Sequence, residues 1–213
     1  MTHLQAPLLK PKLPNRKSSP GGETATVVYY EGRRIYYRPV EVGDEPLLRK
    51  WINDPSIWQG LPLRPPINAN REREWIESQG NSTSDYVFAI VVRDGDRLIG
   101  TAGLHTISPV ARSATLGISI GDRDFHSKGY GTEAVQLLLR FAFEELNLNR
   151  VALAVYANNP RAIRCYQKAG FVQEGCFRQA HYRGGKFHDE YRFAVLREEW
   201  QTASAHQGER RGT

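Results

Sequence analysis

The sequence predicts a single α+β domain built on a mixed, mostly antiparallel sheet of about seven strands with about four helices. Three observations carry this expectation. Runs rich in β-branched and aromatic residues recur from Val27 onward, separated by turn residues. Two stretches, "TEAVQLLLRFAFEELNL" and "NNPRAIRCYQKAG", combine a helical period with residues that start and stop helices. One run, "RVALAVYA", is apolar on both faces, as a strand buried mid-sheet and parallel to a neighbour would be. With 213 residues, 40% of them hydrophobic, the chain suffices for one substantial core and is short for two.

The elements follow in order. "TVVYYEGRRIYYRPV" alternates around Glu31-Gly32 and predicts two strands or a hairpin. "VGDEPLLRKWIND" places Leu47, Leu48 and Trp51 at helical spacing after Asp44 as N-cap, and "NANREREWIESQG" predicts a second short helix. Between them "PSIWQGLPLRPPI" is broken by Pro and Gly yet apolar, and is expected to be a loop that covers something. "DYVFAIVVRDGDRLIGTAGLHTI" and "SATLGISIGD" predict an antiparallel meander of three strands, the first two joined at Asp94-Gly95-Asp96. In the next helix Val135, Leu138, Leu139, Ala142 and Leu146 form one stripe, with Glu133, Gln136, Arg140, Glu144 and Asn147 opposite. After "RVALAVYA", Asn159 serves as N-cap, Pro160 opens the helix and Gly170 stops it. Two last strands, "FVQEGCFRQA" and "KFHDEYRFAVL", flank the turn Arg183-Gly184-Gly185. The domain is expected over 28–200, between a flexible basic tail at 1–27 and a disordered tail at 201–213.

Charge and cysteine usage exclude several classes. The net charge of +6 invites a nucleic-acid partner until it is placed along the chain. Lys10, Lys12, Arg16 and Lys17 against Glu23 give the N-terminal tail +3, and Arg210 and Arg211 against Glu209 give the C-terminal tail +1, leaving the body +2 of the +6. The basic excess therefore describes mostly an arm, and no nucleic-acid partner is expected. No run of about 18 apolar residues crosses a membrane, and prolines interrupt the N-terminus where a signal peptide needs an apolar stretch, so a cytoplasmic protein without a membrane partner is expected. Cys165 and Cys176 read as reduced packing residues, and neither shows metal-ligand spacing, so no metal is expected.

The stretch "HSKGYGTEA" places two glycines around a tyrosine at the mouth of an apolar helix. Residues 129–134 formally match the dinucleotide fingerprint G-x-G-x-x-[GA]. That fingerprint opens directly off a parallel strand and needs an acidic residue about 20 positions later. Here the preceding strand ends near Ile120 and the next ends in "VYANN" without a carboxylate. A P-loop fails because G-x-x-x-x-G-K-[ST] does not occur. What remains is free backbone N–H groups at a helix N-terminus, which suits a pyrophosphate, or a glycine turn without ligand.

The wider context resembles one family. "LGISIGDRDFHSKGYGTEAVQLLLRFAF" followed by "RVALAVYANNPRAIRCYQKAGF" is similar to the GNAT superfamily of acetyl-CoA-dependent N-acetyltransferases, over roughly residues 33–197. The resemblance is closest to the branch of ribosomal-protein N-terminal, polyamine and amino-sugar acetyltransferases. The superfamily's loop [QR]-x-x-G-x-[GA] is met by His126-Ser127-Lys128-Gly129-Tyr130-Gly131, with His in the first position. Its later element N-x-x-A-[IV]-x-x-Y-x-K-x-G-F is met by Asn159, Ala162, Ile163, Tyr166, Lys168, Gly170 and Phe171.

The resemblance implies a single GNAT-like domain in which two strands splay at the cofactor site. It implies acetyl transfer from acetyl-CoA to a primary amine of a protein N-terminus, an amino sugar or another small amine, by direct attack through a tetrahedral intermediate. The cofactor would be held by backbone groups of Ile118 and Ile120, by residues 126–132, namely His126, Ser127, Lys128, Gly129, Tyr130, Gly131 and Thr132, and by Asn159 and Ala162. Tyr166 would protonate the departing thiolate. Close relatives often carry Glu where this chain has Thr115, which cannot replace a carboxylate as base, and Glu74, Asp85, His181 and Asp189 stand as unranked substitutes. The absent Glu also leaves open a non-catalytic CoA-binding sensor or interaction module. The acceptor is expected between "PSIWQGLPLRPPI" and the hairpin "QAHYRGGKFHDE", near Trp58, Arg64, His181, Tyr182, Arg183 and Lys186. Few carboxylates lie there, which argues against a polyamine. The chain is expected to act as a monomer or homodimer.

Overall fold

A computed structural model describes residues 27–63 and 65–209. Nearly all of the expected tail at 1–27 and the acceptor candidate Arg64 lie outside the described residues. The order is β1 (Tyr30–Glu31), β2 (Ile35–Pro39), α1 (Glu45–Ile52), α2 (Pro55–Trp58), α3 (Ala69–Gln79), β3 (Tyr86–Val92), β4 (Arg97–Ser108) and β5 (Ser113–Ile120). Then come α4 (Tyr130–Arg140), β6 (Arg150–Tyr156), α5 (Pro160–Lys168), β7 (Val172–Arg183), β8 (Lys186–Leu196) and α6 (Arg197–Glu209). The eight strands form one sheet in the order β1-β2-β3-β4-β5-β6-β8-β7. All neighbours are antiparallel except β5 and β6, which are joined through α4 and run parallel.

Two cores cover the two faces of the sheet. On one face Val135, Leu138 and Leu139 of α4, with Ala142 just beyond it, pack against Ile90, Ile99, Leu104 and Leu116, joined by Tyr166 of α5 and Ala169 just after it. On the other, Leu48 and Trp51 of α1 and Ile76 of α3 close over Tyr36, Ala89, Val91 and Leu98. Successive strand residues serve opposite faces, so Ala89 and Val91 enter one core while Phe88 and Ile90 enter the other.

The structure differs from expectation at several points. Two helices appear beyond the expected four. α2 forms inside the covering loop because Pro55 opens it and Asp54 caps it, accepting from Ser56 N–H at 2.8 Å. α6 crosses the boundary expected at 200; the Arg197 side chain donates to the Leu148 carbonyl at 2.8 Å, and Trp200 packs on Phe143 at 5.3 Å, so the chain has partners that hold a helix there. Asp44 does not cap α1, because its carboxylate is taken by Arg38 at 2.7 Å through both oxygens. Leu47 faces solvent while Leu48 and Trp51 are buried. Cys165 is partly buried, but Cys176 is exposed on β7 beside Asp189, so only the first packs; both are free thiols. Asn68 and Asn159 cap α3 and α5 through their side chains.

Candidate active site

The site begins where the sheet opens. β5 pairs with β6 only at Ser113–Arg150, Ala114–Val151 and Thr115–Ala152, while β5 continues along β4 to Ile120 and β6 along β8 to Tyr156. Beyond Thr115 the two parallel strands therefore part. Gly121 N–H donates to Ile99 on β4, and N–H groups alternate sides along a strand, so the peptide groups of Ile118 and Ile120 face the gap. His126 closes one end: its Nε2 contacts the Ile120 carbonyl at 2.7 Å, and its Nδ1 lies against the Arg161 guanidinium. That places the proton on Nε2, which donates to Ile120, and leaves Nδ1 to accept from Arg161.

Above the gap the chain turns into α4 through Ser127 (φ 58°) and Gly129 (φ 85°). The left-handed conformation at Gly129 is one that a side chain disfavours, and it ends the turn where α4 presents its first free N–H groups. A cavity of about 290 Å³ lies between this turn, the gap and α5. Ile118, Ile120, His126, Ser127, Gly129, Gly131, Thr132, Asn159 and Ala162 line it. Lys128 and Tyr130 do not: the Lys128 carbonyl accepts from Arg34 at 3.1 Å, and the Tyr130 ring lies under the Arg34 guanidinium (4.3 Å) and edge-on to Phe125 (5.1 Å). The tyrosine between the glycines thus braces the turn from behind.

Three cationic side chains also line this cavity: Lys168, which the later family element includes, and Arg161 and Arg164, which the sequence analysis did not single out. Their spacing of three and four residues on α5 marks one helical face, a signal legible in "NPRAIRCYQK". Burial holds the Arg161 pKa below its usual value. Basic groups, free helix N–H groups and glycine backbone together form a site for a polyanion. Cys165 closes the wall, its thiol raised by burial and in contact with Thr132 Oγ1 at 3.5 Å. Among the described residues no group of three or more His, Cys, Asp or Glu side chains is placed to hold a metal ion.

A second cavity of about 560 Å³ lies on the other face of the sheet, under α1, α3 and residues 60–63. Ile118, Ser119, Ala154, Gly60, Leu61 and Tyr166 line both cavities, so the two meet across the strand gap. Tyr166 is 7% exposed, and burial, with a smaller contribution from Cys165, raises its phenol well above the usual tyrosine value. A phenol so placed keeps its proton at neutral pH and can deliver it where the cavities meet. Leu48, Trp51, Ile52, Leu63, Ile67 and Trp75 make the larger cavity largely apolar; among the described residues Glu72 is its one carboxylate, its pKa raised first by burial and then by Glu45.

Of the two segments expected to flank the acceptor, one borders a cavity and the other does not. The loop after Trp58 covers the larger cavity, but the hairpin does not line it. Instead Arg183 anchors the loop, donating to the carbonyls of Leu61 (2.9 Å) and Leu63 (3.3 Å) with its guanidinium over the Trp58 ring (4.5 Å). His181 stacks on Tyr156 at 3.6 Å, and Lys186 and Tyr182 stand in the hairpin outside both cavities. None of the four base candidates lines either cavity. Asp189 accepts from Gln179 N–H at 2.8 Å, and Glu74 is exposed on α3. Asp85 stands 3.8 Å from His105, a cavity-lining histidine that the sequence reading passed over as part of a strand.

Residues 34–172 match the family model described as "Acetyltransferase (GNAT) domain". An uncharacterized N-acetyltransferase p20 from Bacillus licheniformis is 30% identical over 78% of this chain and 95% of its own. A spermidine N(1)-acetyltransferase from Vibrio cholerae is 31% identical over 54% of this chain and 66% of its own. The fold is shared with the solved structure of a Vibrio cholerae spermidine N-acetyltransferase in complex with CoA and spermine, at a TM-score of 0.74 and 24% identity over 79% of this chain and 98% of that one. This chain therefore belongs to the GNAT acetyltransferases and is an N-acetyltransferase that takes its acetyl group from acetyl-CoA and passes it to an amine.

Proposed function

We propose that the enzyme acts in the cytoplasm on a primary amine borne by a compact, largely apolar carrier, such as a peptide N-terminus with a bulky apolar first residue or an arylalkylamine. In this reading the acetyl thioester enters through the smaller cavity. The turn at 126–132, with Arg161, Arg164 and Lys168, holds the phosphates, Asn159 and the peptide groups of Ile118 and Ile120 hold the amide-bearing arm, and Tyr166 protonates the leaving sulfur. The amine approaches through the larger cavity and attacks directly.

The observation that carries this reading is the position of Tyr166, a buried phenol shared by both cavities. The acceptor class rests on the lining of the larger cavity. A volume of about 560 Å³ falls in the range of small-molecule sites. A linear polyamine presents several charges and needs several carboxylates; among the described residues that line this cavity Glu72 is the one carboxylate, with Arg71 beside it. An amino sugar needs hydrogen bonds on every side, whereas Trp, Leu, Ile and Pro cover the side facing α1, α3 and the loop, and the hydroxyls of Thr101, Thr115 and Ser119 lie only on the strand floor.

Free-thiol release from acetyl-CoA with a panel of amines tests the reading. A peptide with N-terminal Leu or Phe and an arylalkylamine are expected to exceed glucosamine and spermidine by about tenfold or more in kcat/KM, since burying one apolar side chain is worth about 1.5–3 kcal/mol. Spermidine as the best acceptor would overturn the acceptor class. Tyr166→Phe is expected to lower kcat by about 10² while leaving the affinity for CoA near wild type; wild-type turnover would remove Tyr166 from the chemistry.

A further inference from the structure

We propose that His105, backed by Asp85, takes the proton from the acceptor ammonium before attack, an assignment that rests on the amine acetylation proposed above. The residues of β4 and β5 that face α1 and α3 floor the larger cavity: Thr101, Gly103 and His105 on one strand, Thr115, Gly117 and Ser119 on the other. Gly103 pairs with Gly117, and His105 with Thr115. A Cβ on either glycine would lie 3.1 Å from His105 Nε2. The two glycines therefore leave the space the imidazole occupies, and its Nε2 edge lies over Gly117, the residue next to Ile118 on the strand that borders the gap.

The other ring nitrogen faces a carboxylate. His105 Nδ1 is 3.8 Å from Asp85 Oδ2, within ion-pair range. Asp85 is itself fixed: its Oδ1 accepts from Thr106 N–H at 2.8 Å. That N–H is available because β4 is irregular between His105 and Ser108, with Thr106 at φ 50°. A carboxylate opposite Nδ1 favours the tautomer with the proton on Nδ1, which leaves the Nε2 lone pair toward the cavity. The other titratable groups on this cavity are Arg71 and Glu72, which face it from α3 across from the strand floor, and Tyr166 from α5, whose proton is used at the sulfur.

In the step so assigned, one N–H bond of the acceptor ammonium breaks, its electron pair stays on nitrogen, and the proton forms a bond to Nε2. The resulting imidazolium carries its charge beside the Asp85 carboxylate. The ring is 38% exposed, so it returns the proton to solvent after turnover. Positioned proton transfer of this kind contributes about 10² to 10⁴ in rate.

The test uses the full chain with the best amine of the panel above. His105→Gln is expected to lower kcat by about 10² or more with the acceptor KM within about threefold, and Asp85→Asn to lower it about tenfold. The deficit of His105→Gln shrinks with a weakly basic amine that arrives already neutral, and added imidazole restores part of the turnover of His105→Ala. Without substrates, nitrogen NMR of the neutral ring is expected to find the proton on Nδ1 in the wild type. Wild-type kcat in His105→Gln, a loss confined to KM, a proton on Nε2 in the free protein, or a kcat loss that follows Glu72→Gln instead would each overturn the assignment. Thiol release that no amine accelerates in the wild type would overturn both readings; amine-dependent release left intact by His105→Gln overturns this one alone.

Discussion

Tyr130 lies behind the turn at 126–132 whereas Tyr166 lines the two cavities, and their environments differ accordingly. Tyr130 touches no cavity; it is sandwiched between Arg34 and Phe125, contacts worth about 0.5–1.5 kcal/mol each. Tyr130→Ala is therefore expected to loosen the turn, weakening CoA about three- to tenfold by calorimetric titration while kcat at saturation stays near wild type. A fall in kcat with unchanged CoA affinity would mean that the ring acts in the chemistry. Tyr166, proposed above as the proton donor, instead has a phenol that burial has raised. An unfolded tyrosine ionises near 10, so Tyr166 keeps its proton in the folded state well past that point. Its contribution to stability is full below the unfolded value and is lost as pH rises toward the folded one, the unfolded chain ionising first. A kcat profile without an alkaline fall below about pH 10 is expected. Above that, denaturant unfolding of the wild type should lose stability more steeply than Tyr166→Phe. Tyr37, buried beside Glu133 and raised for the same reason, contributes to the alkaline loss in both proteins.

At the scale of elements, the turn before α4 is held by Arg34, the residue that leads into β2. Arg34 donates its backbone N–H (2.6 Å) and its Nε (2.7 Å) to the two oxygens of Glu133, and a third donor reaches Lys128. Burial pushes Glu133 up, but the hydrogen bonds and charge of Arg34 outweigh it and leave the carboxyl below its usual value. A depressed carboxyl contributes stability that is present above the unfolded value near 4.3 and is lost as pH falls through the folded one. Glu133→Gln is expected to cost about 1–2 kcal/mol in chemical unfolding at pH 7, after allowance for the partial exposure of Arg34, with the gap to wild type closing below about pH 4. A gap independent of pH would assign the loss to packing. The sequence placed Glu133 only on the polar stripe of a helix, because its partner lies 99 residues away. Local rules did reach the order of elements along the chain, the cap at Asn159 and the turn glycines, since a few neighbouring residues decide those. They did not reach the Arg183 anchor, the hidden side of Tyr130 or His105. Each depends on which strand or loop packs opposite, and alternation in "RLIGTAGLHTI" says only that His105 shares a face with Gly103. Arg161, Arg164 and Lys168 were within reach, being phased on a single helix.

For the whole molecule, the gap between β5 and β6 is a defect in an otherwise continuous eight-stranded sheet. Inter-strand hydrogen bonds stop at Thr115, while both strands remain paired on their outer sides. Peptide groups facing such a gap lack strand partners, and an amide-bearing ligand arm that fills it restores hydrogen bonds as well as burying the walls. Binding to the folded state alone stabilises it by RT ln(1 + [L]/Kd), about 2.7 kcal/mol at a hundredfold excess over Kd, or roughly 5–10 °C in Tm for a domain of this size. CoA is expected to give such a shift. Pantetheine at the same concentration should give a smaller one, because it reaches the gap without engaging the turn at 126–132 or the cations of α5. Hydrogen exchange locates the effect. With CoA, protection should rise at Ile118, at Ile120 and in the first turn of α4, and stay unchanged in the β7–β8 hairpin beyond Arg178, which lines neither cavity. Equal shifts from CoA and pantetheine would remove the phosphate role from the turn. Protection gained in the hairpin but not at Ile118 would move the cofactor out of the strand gap altogether.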